Sequence, residues 1–304
     1  MSGNGLNEIE IMEMRHCTIC PRKCGADRTK GAGVCGSSAR LRAARAALHY
    51  GEEPCISGAR GSGAVFFSGC ALRCVFCQNH EISAEQFGRE ISVERLSEIF
   101  RELEEKGAEN INLVTPTQWS LHIARALALY RPKIPVLYNC GGYESVETLR
   151  RLEGLVDVWL PDIKYADPAL AMRFSAAYDY PETAFRAVSE MLRQCGNPVL
   201  DSRGIIQRGV IIRHLVLPLH LKNTFEFLDR IRAEFGTDTW ISLMFQFTPV
   251  VPVPEYPELN RPLTRRERQR AERCLEDLGF LNGYVQEPDS SGTGFIPEFD
   301  LTGV

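Results

Sequence analysis

The chain has 304 residues, a formal net charge of −4, and ordinary shares of apolar (44%) and charged (24%) residues. That length suits one large domain or two small ones, and the mild acidity favours neither nucleic acid nor a membrane surface as partner. No apolar run reaches the length of a membrane span and the first residues lack a signal-peptide core, so a cytoplasmic protein is expected.

Residues 1–14 are polar and unpatterned, and a weakly held lead-in is expected there. Cys17, Cys20, Cys24 and Cys35 follow, among Gly, Pro and basic residues that offer little core of their own. A lobe of that kind needs metal or disulfides to hold its shape. The chain has eleven cysteines, an odd number in short-spaced groups, which suits metals in a reducing compartment better than disulfides. The spacing admits structural zinc or an iron–sulfur cluster equally. Leu41 to Leu48, rich in Ala and Arg, reads as a short helix. Residues 51–63 form a loop-rich bridge in which Cys55 stands alone, expected to pack rather than ligate.

From there apolar strands alternate with amphipathic helices. Candidate strands are 64–67, 110–115, 135–139, 156–160, 210–217 and 240–247, short and poor in charge, as strands covered on both faces should be. Candidate helices run from Val93 to Leu103 behind a Ser92 cap, Leu121 to Tyr130, Thr224 to Phe235 and Thr264 to Leu278. This alternation means a parallel sheet with right-handed crossovers, and six units suggest a partial (β/α)6 TIM-type barrel. The chain would divide into a Cys-rich lobe and bridge (1–58), the barrel (59–250) and a closing helix and tail (251–304).

In such barrels functional groups gather at the C-terminal ends of the strands. The first strand runs through Ser68-Gly69 into Cys70, Cys74 and Cys77, three thiols within eight residues. They can share one centre only if the chain loops around it, and a soft metal suits them. A closed zinc site wants four protein ligands; three leave a position open. Buried structural cysteines, or a zinc knuckle borrowing His80, are the alternatives. Later strand ends carry Thr115-Pro116-Thr117, Asn139, Asp162 with Lys164, Arg213 and Gln246, a polar set at one rim.

The C-x-x-x-C-x-aromatic-C spacing of Cys70, Cys74, Phe76 and Cys77 resembles the cluster loop of the radical S-adenosylmethionine (SAM) superfamily. The chain is similar to its activating enzymes, in a branch related to the pyruvate formate-lyase activating enzyme, over about residues 60–250. The four-cysteine lobe and the closing Phe295-Ile296-Pro297-Glu298-Phe299-Asp300 look like features of that branch. The resemblance implies a 4Fe–4S cluster on the three cysteines, with SAM chelating the remaining iron. It implies reductive cleavage of SAM to a 5′-deoxyadenosyl radical that abstracts hydrogen from a protein or peptide substrate, a glycine where activases act, with electrons from a flavodoxin- or ferredoxin-type donor. By the same likeness Thr115 and Thr117 grip the SAM amino group, and Asp162 and Lys164 lie by its methionine end. Arg213 meets its carboxylate, Phe76 and the backbone near Asn79 touch adenine, and Gln246 lines the last strand end. The N-terminal cysteines would hold a second iron–sulfur cluster.

Two positions depart from the pattern. Asn139 stands where activases have an Asp that helps hold a monovalent cation, which puts that cation in doubt. Ala59-Arg60-Gly61-Ser62-Gly63 stands where glycyl-radical activases carry a Trp-Val-Asp-Gly-Pro-Gly-type segment. Modification of another peptide or a small molecule is therefore a second reading, and a non-catalytic zinc or iron–sulfur protein a third. No side chain declares itself a general base, so catalysis is expected from the cluster.

Overall fold

The computed structural model describes residues 6–286 and 296–304; Phe295 of the closing segment lies outside them. The chain runs α1 (Glu8–Arg15), β1 (Arg42–His49), α2 (Pro54–Ser57), β2 (Ser62–Phe67), α3 (His80–Ser83), β3 (Arg89–Glu90) and α4 (Val93–Glu105). Next come β4 (Ile111–Val114), α5 (Ser120–Leu129), β5 (Val136–Cys140), α6 (Val146–Arg151) and β6 (Val158–Pro161). Two consecutive helices follow, α7 (Pro168–Ser175) and α8 (Tyr180–Cys195). The chain closes with β7 (Val199–Leu200), β8 (Ile206–Leu215), α9 (Leu221–Phe235), β9 (Trp240–Met244), α10 (Arg265–Asp277) and β10 (Gly283–Val285).

The sheet order is β10-β9-β8-β6-β5-β4-β2-β1-β3, with β7 paired to β8 at the side. From β2 to β10 the neighbours along this order are parallel, which requires the helical crossovers. The sheet curls without closing, so the fold is the partial barrel expected. Helix boundaries follow local chemistry: Ser92 and Thr264 cap α4 and α10 by accepting from the backbone three residues on.

Alternation along the strands builds two cores. Outward-facing Val65, Phe67, Leu113, Tyr138, Trp159 and Ile212 pack under the helices. Inward-facing Leu137, Val158, Leu160 and Ile211 fill the barrel floor, where Cys55 and Ile56 of α2 join them as a plug. Nearer the C-terminal ends the same inward register delivers Asn139, Arg213 and Gln246 to a cavity, because residues two apart share a face.

Four expectations need correction. Leu41–Leu48 is not a helix: β1 runs antiparallel to β2. Its Arg42/Arg45 spacing, helical to the eye, comes from a bulge that leaves Ala44 unpaired between the Ala43–Phe67 and Arg45–Phe66 partners. Pairing on both sides overrides helix propensity, since the closing segment also binds this strand, with Ala46 N donating to Thr302 O at 2.8 Å. The lead-in is held from residue 6 onward: Asn7 closes a capping box on α1, Met14 is fully buried and Glu10 pairs with Arg125. A seventh parallel strand, β10, extends the expected six. The divisions at 58 and 250 cross the sheet, because β1 and β10 both belong to it. No described helix is long and apolar enough to cross a membrane.

Candidate functional site

A cavity of about 180 Å³ opens at the C-terminal ends of the strands. Cys70, Cys74 and Cys77 form one side of it, and Phe76, Asn79, Thr115, Asn139, Asp162, Lys164, Arg213 and Gln246 also line it. Thr117 does not. Pro116 starts a tight turn that rotates Thr117 behind the rim, where its hydroxyl donates to Glu144 Oε1 at 2.6 Å.

The cysteine loop is held by its backbone. Gly69 turns with φ +86° and donates to Ile82 O at 2.8 Å; Cys70 N donates to Cys35 O at 3.1 Å. Val75 N reaches Phe174 O at 3.0 Å, and Arg22 Nε donates to Ala71 O at 3.0 Å. Ser175 Oγ donates to Cys74 Sγ at 3.0 Å. Burial, then the neighbouring Cys74 and Cys77, push the Cys70 thiol up to about 12, and burial with Cys74 raises Cys77 as well. The raised Cys70 and Cys77 thiols call for a cation to hold them as thiolates.

Opposite them the cavity is charged and polar. Lys164 Nζ is paired with Asp162. Burial disfavours the ammonium, but Asp162 and the Cys74 thiol outweigh it and hold its pKa above the usual range. Asp162 Oδ1 and Asn79 Oδ1 are buried without a hydrogen-bond partner. Thr115 adopts φ +58°, rare for a β-branched residue, at the point where its strand turns away from the rim. Phe76 sits edge-on to Phe174 at 6.0 Å and beside Phe247 at 6.0 Å. Gln246 Oε1 accepts from Gln286 Nε2 at 2.8 Å.

Arg213 lines the cavity with its fork already engaged. Its fork is clasped by Glu52 and Glu53 of the bridge, with Nε 2.9 Å from Glu53 Oε1. Glu52 also accepts from Asn112 Nδ2 at 2.8 Å and lies 3.4 Å from Asn139 Nδ2, which places a carboxylate beside Asn139 at the floor. Glu52 and the cavity-lining His49 were missed from sequence. The available signal was two adjacent carboxylates in a bridge facing a mid-strand arginine.

The N-terminal thiols are brought together in their own lobe. Burial drives the Cys20 thiol up to about 12, with Cys35 and Cys17 near enough to add to it. A side chain at Gly33 would stand 3.4 Å from Cys24 Sγ and 3.6 Å from Cys35 Sγ. Among the described residues no three His, Cys, Asp or Glu side chains close to the spacing of a single metal ion; a cluster several ångströms wide does not ask that of them.

A 4Fe–4S cluster with SAM fits the cavity residues on two counts. The three thiols of one loop share it, with the Cys140 thiol on β5 a further sulfur in its lining, and two orphaned acceptors, on Asn79 and Asp162, belong to the same lining. Comparison with known proteins agrees. A family model described as the Radical SAM superfamily matches residues 64–207. The chain is 30% identical over 275 residues to the uncharacterized protein MJ0674 of Methanocaldococcus jannaschii, covering 87% of this chain and 76% of that one. Among solved structures, Streptococcus suis SuiB bound to S-adenosylmethionine aligns with a TM-score of 0.52 at 13% identity, over 75% of this chain and 50% of SuiB. This chain therefore spans half of SuiB's length, and the likeness is one of fold. Methylornithine synthase (PylB) aligns more weakly, with a TM-score of 0.45 and 12% identity over 98% of this chain and 86% of that one. With the cysteine loop inside the matched segment, residues 64–207 of this chain form a radical SAM superfamily domain.

Proposed function

We propose that the chain cleaves SAM reductively and uses the resulting radical to abstract hydrogen from a protein or peptide segment. The observation that carries this reading is the three-thiol loop opening on a cavity whose other wall offers Lys164, Asp162 Oδ1 and Asn79 Oδ1. When bound, the cluster supplies one electron to the SAM sulfonium, which yields methionine and a 5′-deoxyadenosyl radical. The protein's own work is ligation by Cys70, Cys74 and Cys77, orientation, and exclusion of water. The Lys164–Asp162 pair suits a zwitterionic tail, and Phe76 with the Asn79 backbone suits adenine. Thr115, Asn139 and Gln246 complete the rim, while Arg213, already clasped, braces the floor.

A second metal on Cys17, Cys20, Cys24 and Cys35, zinc or an iron–sulfur cluster, belongs to the same reading. So does a low-potential one-electron donor of flavodoxin or ferredoxin type. The unclosed sheet supports access by a chain segment. An activase-type glycine target has less support. Arg60 of the departing segment pairs with Glu109 beside the start of β2, at the opposite end of that strand from the cysteine loop. This favours, as a second reading, another peptide or a small molecule.

Anaerobic reconstitution with iron and sulfide, then dithionite and SAM, tests the proposal. Release of 5′-deoxyadenosine that disappears in Cys77→Ala is expected. A chain that binds iron yet leaves SAM intact would be a non-catalytic metal protein instead.

A further inference from the structure

Arg28 carries a charge that no carboxylate answers. It is 1% exposed, and among the described residues no Asp or Glu lies within ion-pair distance of it. Its guanidinium meets carbonyls instead: Nε and Nη2 donate to Ser38 O at 3.2 and 2.8 Å, and Nη1 to Gln118 O at 2.9 Å. Its plane stands over the Trp119 ring, 5.1 Å from the centroid. A guanidinium buried on carbonyls alone is costly unless an anion is close. The group beside Nη1 is Cys17 Sγ, at 3.9 Å.

We propose that Cys17, Cys20, Cys24 and Cys35 form a metal–thiolate centre with Arg28 as its buried counter-ion, and that this pair fixes the start of the Cys70 loop. The inference rests on the second-metal reading above and adds what the centre is for. Four thiolates outweigh the charge of either zinc or a 4Fe–4S core, so the centre is net negative in both cases. That charge is what Arg28 faces.

Besides the Arg22 bond to Ala71 O, two further connections run from the lobe to the start of the loop. Arg28 holds the Gln118 carbonyl, and Gln118 Nε2 donates to Ser68 O at 3.1 Å and Gly69 O at 2.8 Å. More directly, the carbonyl of Cys35 accepts from the amide of Cys70, so one backbone hydrogen bond separates a ligand of each centre. Gln86 Nε2 also donates to the Cys35 carbonyl at 3.3 Å and Gly33 N to Ser37 O at 3.1 Å, and a metal on the Cys35 sulfur would add to these holds.

The test uses the full chain, purified anaerobically with iron and zinc supplied. In the Cys70→Ser/Cys74→Ser/Cys77→Ser variant, metal that remains reports the lobe alone. Retention of zinc, or of iron with sulfide, is expected there, and its loss on adding Cys24→Ser. In that background Arg28→Gln should lose metal to a chelator about tenfold faster. Arg28→Lys keeps the charge and should fall between, which guards against a folding failure of Arg28→Gln.

In chains that keep Cys70, Cys74 and Cys77, Cys24→Ser should alter the electron paramagnetic resonance of the reduced cluster. It should also speed amide exchange over residues 68–71. A metal-free triple variant overturns the centre. Arg28→Gln holding metal as tightly as its parent overturns the counter-ion. An unchanged resonance and exchange overturn the tie. Failure of the SAM reading would show separately, as a wild-type chain with a loaded lobe that releases no 5′-deoxyadenosine.

Discussion

Arg213 Nε donates to Glu53 Oε1 at 2.9 Å, and its Nη2 is shared between Glu53 and Glu52, with under a tenth of the Arg213 and Glu53 side chains exposed. The three charges knit the bridge before α2 to the middle of β8 and so close the cavity floor. Burial alone would raise the Glu53 carboxyl, but Arg213 outweighs it and holds the pKa below the usual carboxylate range.

Glu53→Ala is therefore expected to destabilise by about 3 kcal/mol, the low end for breaking a buried pair, because Glu52 remains. The pH dependence has a definite sign. A depressed carboxylate contributes stability above its unfolded pKa of about 4.3, and that contribution is lost as pH falls through the lower folded value. Denaturant unfolding of wild type and Glu53→Gln should differ at pH 7 and converge in strong acid. A constant gap would remove the ion pair from the account.

Glu144 shows the opposite sign. Burial pushes its carboxyl up to about 8, although Thr117, Cys140 and Tyr138 act to lower it. The folded chain then keeps a proton that the unfolded chain has released above about pH 4.3, so stability declines from there to about pH 8. Glu144→Gln keeps the shape and the bond from Thr117 without that penalty. It should match wild type near pH 4 and gain on it by up to about 1.4 kcal/mol per pH unit crossed, levelling above pH 8. Equal stability of the two at pH 8 would mean that Glu144 is ionised at no cost.

These two carboxylates mark where sequence reading stopped. The six central strands were legible because both faces are apolar, and Asn139, Arg213 and Gln246 stood out as polar breaks in apolar runs. The cysteine loop declared itself by spacing. What failed depends on partners far along the chain: Glu52 meets Arg213 across 161 residues, and Arg28 meets Gln118 across 90. Arg42 to His49 failed for a related reason. An Ala/Arg stretch has strong local helix preference, and pairing with β2, β3 and the closing segment makes it a strand. Thr117 was placed by analogy in a stretch where a single turn decides which way a side chain points.

Ser175 gives a third expectation. The Tyr165 hydroxyl and Ser175 Oγ are 2.7 Å apart, and Ser175 donates onward to Cys74 Sγ. A donor on a ligand sulfur favours the electron-rich, reduced state of a cluster. Ser175→Ala should keep its iron and move the reduction potential downward by about 40 mV, the equivalent of a hydrogen bond worth about 1 kcal/mol. Redox titration followed by magnetic resonance measures it. An upward shift would contradict the assigned donor.

Gly69 tests how tightly the two cysteine groups are fitted together. Its φ of +86° lies in the region that favours glycine, and a Cβ there would fall 2.1 Å from Ser37 Oγ and 3.0 Å from Cys35 O. Ser37 Oγ has no hydrogen-bond partner of its own, so its removal alone should be close to neutral. Gly69→Ala must then strain the backbone by about 1 kcal/mol and push the lobe from the loop. Iron bound per chain after anaerobic reconstitution should drop severalfold. Adding Ser37→Ala removes the nearest obstructing atom and should restore part of that iron, while the Cys35 carbonyl and the backbone strain prevent full recovery. The coupling between the two sites is the decisive quantity. If Gly69→Ala binds iron like wild type, or Ser37→Ala rescues nothing, the close approach of Ser37 and Gly69 does not govern the cysteine loop.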